Sequence, residues 1–200
     1  MTTDAAPHAS LAPSPWVERF APLVAPGARV LDLACGHGRH ARLFAARGSR
    51  VLAVDRDAAA LASLHGVAGV ATLAADLEGA PWPLAEARFD AIVVVNYLHR
   101  PLFAPLRAAL APDGLLIYET FARGNEAFGR PSNPAFLLER GELLALARDG
   151  LSVVAFEQGR VRGAGRDAVV QRLAAVGPER AWPWPLPDAG PRAGPVRDWE

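Results

Sequence analysis

Lysine is missing altogether from this 200-residue chain, so all 21 basic residues are arginine, and 21 aspartates and glutamates balance them to a formal charge of zero. The arginines run from Arg19 to Arg197 without a dense cluster. Without such a cluster there is no long-range field to attract a polyanion, so the sequence predicts no nucleic-acid partner. Cysteine is reduced to Cys35. That excludes an internal disulfide and a cysteine-built zinc cage, and it fits a reducing, cytoplasmic compartment. No apolar run is long enough to cross a bilayer and no secretory apolar segment is present, so no membrane partner is expected. His37 and His40 lie three apart but no third ligand accompanies them, which leaves no metal site to predict.

What the chain does contain is one dense segment, Val30 to Asp55, reading VLDLACGHGRHARLFAARGSRVLAVD. The apolar residues around Asp32 read as a buried parallel strand, and Gly36 and Gly38 allow a tight turn that brings backbone close to a ligand. A helix follows over Arg39 to Arg47, with Gly48 placed to end it, and a second strand runs to Asp55. Asp55 falls about twenty residues past the first glycine, the spacing at which a carboxylate accepts hydrogen bonds from a ribose diol.

Two cofactor classes fit this outline. Gly36-x-Gly38-x-x-Ala41 satisfies a loose dinucleotide fingerprint. Asp32 argues for the other class, because a carboxylate inside the first strand is costly to bury unpaired and repels a diphosphate, whereas the sulfonium and ammonium groups of S-adenosyl-L-methionine would pair with it. The run Asp32-Leu33-Ala34-Cys35-Gly36-x-Gly38-Arg39, with Arg47-Gly48-x-x-Val51-x-Ala53-x-Asp55, resembles motif I and the next strand of the class I S-adenosylmethionine-dependent methyltransferases. Within that class it is most similar to the tellurite-resistance methyltransferases and their bacterial relatives. The likeness extends over roughly Val30 to Val176, and Asp76 and the Phe128 to Leu143 region add weaker support.

Alternating strand and helix signals predict an α/β, doubly wound, mostly parallel sheet with helices on both faces and one antiparallel strand from a closing hairpin. Strands are expected near Arg29 to Ala34, Arg50 to Val54, Val70 to Ala75, Ala91 to Val95, Leu115 to Glu119, Leu151 to Phe156 and Ala168 to Leu173. Helices are expected near Trp16 to Leu23, Arg39 to Ala46, Asp57 to Leu64, Pro101 to Leu110 and Arg140 to Asp149. The resemblance implies the usual Rossmann-like seven-stranded order, with the last strand between the fifth and sixth. Residues 1–28 read as a leader whose short helix covers the cofactor edge, 29–176 as the cofactor-binding domain, and 177–200 as a Pro/Trp-rich tail laid over it, with Trp199 as a further anchor.

The expected cofactor residues are Asp32, Ala34, Cys35, Gly36, Gly38, Asp55, Arg56, Asp76, Leu77 and Asn96. Asp76, just past the third strand, is placed to accept from the adenine amino group, although an N-cap or loop acid would occupy the same position. After the fourth strand, Tyr97 and His99 are the candidates for orienting an acceptor or taking its proton, the plainer alternative being a packed tyrosine and a capping histidine. Cys35 beside His37 lacks a third orienting group and reads as a residue lining the cofactor rather than a nucleophile. The long Thr120 to Glu139 connection supplies Phe121, Arg123, Phe128 and Arg130 as acceptor-binding candidates, either as a lid with anion contacts or as a cluster under a loop. These residues predict methyl transfer from S-adenosylmethionine to a small-molecule acceptor, for which an oxyanion, chalcogen or thiol needs least help from a base. An NAD-dependent oxidoreductase, a noncatalytic S-adenosylmethionine-binding module and a nucleic-acid methyltransferase remain alternatives at this level.

Overall fold

The computed structural model describes residues 12–148, 150–162 and 166–187. Five strands, β1 (Arg29–Leu33), β2 (Arg50–Asp55), β3 (Val70–Ala74), β4 (Phe89–Val95) and β5 (Leu110–Phe121), pair in parallel. β6 (Ser152–Val161) and β7 (Ala168–Val176) form the closing hairpin, and β7 inserts between β5 and β6 to give the order β3-β2-β1-β4-β5-β7-β6. β7 is thus antiparallel to both of its neighbours. The expected fold class and strand order are both present.

The pleat explains why the parallel strands read as continuous apolar runs: both sheet faces are covered, so both sets of alternate residues are buried. One face, with Val30, Ala53, Val93 and Ile117, packs against α1 (Pro15–Phe20) and α2 (Arg39–Ala46). The other face, with Leu31, Leu33, Ile92, Val94 and Tyr118, packs against α4 (Phe103–Ala109) and α5 (Glu142–Arg148). α3 (Ala58–Ala62) is capped by Asp57, whose Oδ1 accepts from the N–H groups of Ala59 and Ala60.

Three differences from the sequence reading have local causes. α1 does not cover the ligand opening. Trp16, Val17 and Phe20 are instead part of the core, and the Trp16 indole donates to the Leu173 carbonyl at 3.3 Å. β5 is longer than expected because Leu110 pairs with Phe89 across a register shift before the main ladder begins at Leu115. The described part of the tail is held by Trp184 against the core and by the Arg180 guanidinium on the carbonyls of Leu23 and Asp113, while Trp182 stays 75% exposed. Trp199 lies outside the described residues, as do residues 1–11 of the leader and part of the β6–β7 turn. No helix among the described residues is long and apolar enough to cross a membrane.

Candidate active site

Parallel pairing carries the carboxyl ends of β1 to β5 to one edge of the sheet, and strand order reverses between β1 and β4, where open α/β sheets bind ligands. A cavity of about 410 Å³ opens at that edge, within the size range of small-molecule sites. Ala34, Asp55 and Arg56 line one side, Ala75 to Glu78 another, Asn96 to Leu98 the floor past β4, and Thr120, Phe121, Pro131 and Phe136 the far wall.

The glycine turn is tied to β2. Asp55 Oδ2 accepts from the Gly36 N–H at 2.7 Å, while Oδ1 accepts from the Asp57 N–H at 2.9 Å. This leaves the carboxylate oriented toward the cavity with further lone pairs for a diol. The two glycines serve different ends. A side chain at Gly38 would meet Leu64 at 2.5 Å, so Gly38 permits the turn to pack, whereas Gly36 faces open space. The non-glycine residues with left-handed backbone among those described are Ala34, φ 53°, and Asn96, φ 58°, which end adjacent strands and both line the cavity. Strain confined to the two sides of one opening is the pattern of a preorganised site.

Asp32 does not line the cavity. It is buried beneath the turn, where its Oδ2 accepts from the Ala41 N–H at 2.8 Å, and burial pushes its carboxyl up to about 7. Its neighbour in the helix, His40, accepts from the Ser14 N–H at 3.1 Å, and burial pushes its imidazole down to about 3. Ser14 also bonds Glu119 through its hydroxyl, and Glu119 is paired with Arg172 at 3.0 Å. The segment just ahead of α1 thereby ties α2 to the end of β5. Sequence reasoning missed this network, whose members lie too far apart in the chain to form a motif. Cys35 is buried in the core, and desolvation with the charges of Asp32 and Asp55 pushes its thiol above the usual range, so it is not a nucleophile.

Asp76 lies exposed on the cavity wall. The backbone N–H groups of Glu78 and Gly79 hold its carboxyl below the usual range. Leu77, next to it, is buried. Tyr97 lines the floor, but burial and then the nearby Glu78 carboxylate push its phenol up to about 12. At neutral pH such a phenol is a donor and not a base, which argues against the proton-taking role expected from sequence. Its Oη is buried without a hydrogen bond among the described residues. His99 lies outside the cavity lining and makes no side-chain cap bond to the turn it precedes.

The acceptor candidates separate in the same way. Phe121 lines the cavity, and Arg130 lines an adjoining groove. Arg123 pairs with Glu139 at 2.8 Å, and Phe128 lies under the Arg160 guanidinium at 4.7 Å, so neither reaches the cavity. Arg100, not assigned a role from sequence, pins the loop instead. Its guanidinium bonds both oxygens of Glu142, at 2.5 and 2.9 Å, and the carbonyls of Ala135 and Leu137, each at 2.9 Å. No cluster of His, Cys, Asp and Glu suited to a metal occurs among the described residues.

No curated protein matches the chain. Among solved structures, TehB from Haemophilus influenzae is similar with a TM-score of 0.69 at 18% identity, covering 80% of this chain and 61% of that one. This chain therefore spans less than two thirds of that protein's length. A TehB-like S-adenosylmethionine-dependent methyltransferase from Corynebacterium glutamicum aligns with a TM-score of 0.59 at 21% identity, covering 82% of this chain and 86% of that one. The 1,6-didemethyltoxoflavin-N1-methyltransferase of Burkholderia thailandensis, solved with 1,6-didemethyltoxoflavin and S-adenosylhomocysteine, aligns at 25% identity and a TM-score of 0.60, covering 82% of this chain and 76% of that one. Residues 30–114 match the family model described as a methyltransferase domain, which spans the glycine turn, Asp55, Asp76 and Asn96. Over those residues the chain is thus similar to a methyltransferase domain, and its sheet order, with the cavity at the switch point, is built on the fold of these S-adenosylmethionine-dependent methyltransferase structures.

Proposed function

We propose that the chain transfers a methyl group to a small-molecule acceptor, with oxyanions, chalcogen compounds and thiols as the first classes to test. The observation that carries this reading is Asp55, held by two backbone N–H groups at the mouth of a cavity whose glycine turn leaves open space at Gly36. Asp55 binds the ribose diol, Gly36 and Asn96 face the methionine portion, and Asp76 with Leu77 takes the adenine. Ala34 and Arg56 complete that wall. S-adenosylmethionine supplies an electrophilic methyl group on a sulfonium that already contains its leaving group.

The protein's share is alignment and desolvation, which suffice for in-line displacement without a covalent intermediate. The acceptor wall fits that division of labour. Thr120, Phe121, Pro131 and Phe136 include no acid, histidine or lysine, which favours an acceptor that is already a good nucleophile near neutral pH. The likeness to an N1-methyltransferase solved with 1,6-didemethyltoxoflavin supports a small-molecule acceptor.

A dinucleotide is disfavoured on geometry. The Ala41 N–H, in the first turn of the helix where a diphosphate would sit, is already taken by the buried Asp32 carboxyl. Calorimetric titration with S-adenosylmethionine, S-adenosylhomocysteine and NADH separates the readings. Binding of the first two alone is expected, and binding of NADH alone would overturn the proposal. Turnover in an acceptor screen then removes the noncatalytic alternative, and strongly salt-dependent RNA or DNA binding would revive a nucleic-acid substrate.

A further inference from the structure

We infer that the acceptor is a flat organic molecule carrying an anionic group, its ring held by Phe121, Pro131 and Phe136 and its anion met by Arg130; this rests on the methyltransferase reading above. Those three apolar residues line both the cofactor cavity and the groove beyond it, so the two adjoin along them. Phe136 is the telling member. Its ring is 46% exposed over the opening, yet Arg100 grips the carbonyls on either side of it, at Ala135 and Leu137, so the exposure does not come from a slack loop. A large ring pinned half in water beside a cavity is apolar surface that a ligand would bury.

Charge defines the other end of the molecule. Arg100, Arg123 and Arg160 in this region are each paired with an acid. The Arg130 guanidinium has no hydrogen-bond or ion-pair partner among the described residues, and Arg130 lines the groove. Its backbone is fixed in turn by Arg166, which also lines the groove and donates to the Arg130 carbonyl at 2.7 Å. A guanidinium without a partner, on a backbone fixed in this way, is suited to a carboxylate or similar anion. Arg130 lines the groove and not the cavity, so a bare inorganic oxyanion in the cavity does not reach it. A ring with an anionic substituent can.

The test is calorimetry on the full chain saturated with S-adenosylhomocysteine, titrated with 4-mercaptobenzoate, thiophenol and selenite, with the cofactor product's affinity measured for every variant as the folding control. The expected result is 4-mercaptobenzoate binding at least tenfold tighter than thiophenol or selenite. Arg130→Gln should lower that preference to less than threefold, and Arg130→Lys should keep most of it. Equal binding of the charged and neutral rings, a preference for selenite, or a preference untouched by Arg130→Gln would each overturn the inference. Binding of none of the three to a chain that binds S-adenosylhomocysteine would overturn it while leaving the cofactor reading standing. Failure to bind S-adenosylhomocysteine would remove both.

Discussion

Replacing Asp32 with asparagine should change the direction in which stability responds to pH, because two buried groups at the start of α2 now oppose each other. Burial raises the Asp32 carboxyl from 3.8 to about 7, so between those values the folded chain keeps a proton that the unfolded chain has lost. Its contribution is complete below pH 3.8 and falls by about 1.4 kcal/mol per unit as pH rises through 7, a loss of about 4 kcal/mol in all. His40 acts with the opposite sign. Burial lowers it from 6.5 to about 3, so its contribution is complete above pH 6.5 and falls as the solution is acidified toward 3. Over about pH 4 to 6.5 the two slopes nearly cancel. Asparagine still offers a carbonyl oxygen to the Ala41 N–H, so Asp32→Asn removes the titration without orphaning that donor. Urea unfolding at pH 4.5, 5.5, 6.5 and 7.5 should show the variant gaining on the parent by about 1 kcal/mol or more per pH unit, and ending a few kcal/mol more stable at pH 7.5. His40→Gln should show the reverse, with stability falling as pH rises. The remaining histidines are common to all three proteins and cancel in the differences. Curves parallel to the parent's would refute the account of both groups.

Asp55→Ala should weaken S-adenosylhomocysteine binding by tenfold or more in calorimetry and also lower the melting temperature. It strips the acceptor from the Gly36 and Asp57 N–H groups, each charge-assisted bond being worth about 1.5–3 kcal/mol. The two glycines should part company. Gly38→Ala, which drives a methyl into Leu64 at 2.5 Å, should cost about 2 kcal/mol in urea unfolding, whereas Gly36→Ala, which projects into open space, should cost about 1 kcal/mol and instead block the cofactor. Arg100→Gln should raise the acceptor KM several-fold with little change in S-adenosylhomocysteine affinity, because it frees the carbonyls flanking Phe136. Its effect on stability should stay under about 1 kcal/mol, since the Glu142 pair is partly in solvent.

The fold was legible because its determinants are local. A buried parallel strand declares itself by an apolar run, and the turns at the two ends of α2 by glycines at positions that need φ above zero, Gly36 and Gly38 before it and Gly48 after it. Strand order was not local, and it came from the resemblance. The ends of β1 to β5 were less certain than their existence. β5 gained residues at its start through a pairing with Phe89 that crosses a register shift, which no pattern within Leu110 to Phe121 announces.

The site was legible where the backbone decides a side chain's direction and obscure where it does not. Asp55 is the last residue of β2, so the pleat and parallel pairing carry it to the sheet edge whatever its neighbours are. Tyr97, His99, Arg123 and Phe128 follow strand ends, where the pleat no longer aims side chains. Their surroundings come from elsewhere in the fold: the Glu78 carboxylate near Tyr97, Glu139 on Arg123, Arg160 over Phe128. Asp32 shows the limit from the other side. Its burial followed from its place inside a strand, but the group that satisfies it, the Ala41 N–H, depends on how α2 returns over the turn. Arg100 is the extreme case. Its role exists only because folding brings Ala135, Leu137 and Glu142 to it across 35 to 42 residues of chain, and a residue whose function is to join distant segments has no local pattern by which to be read.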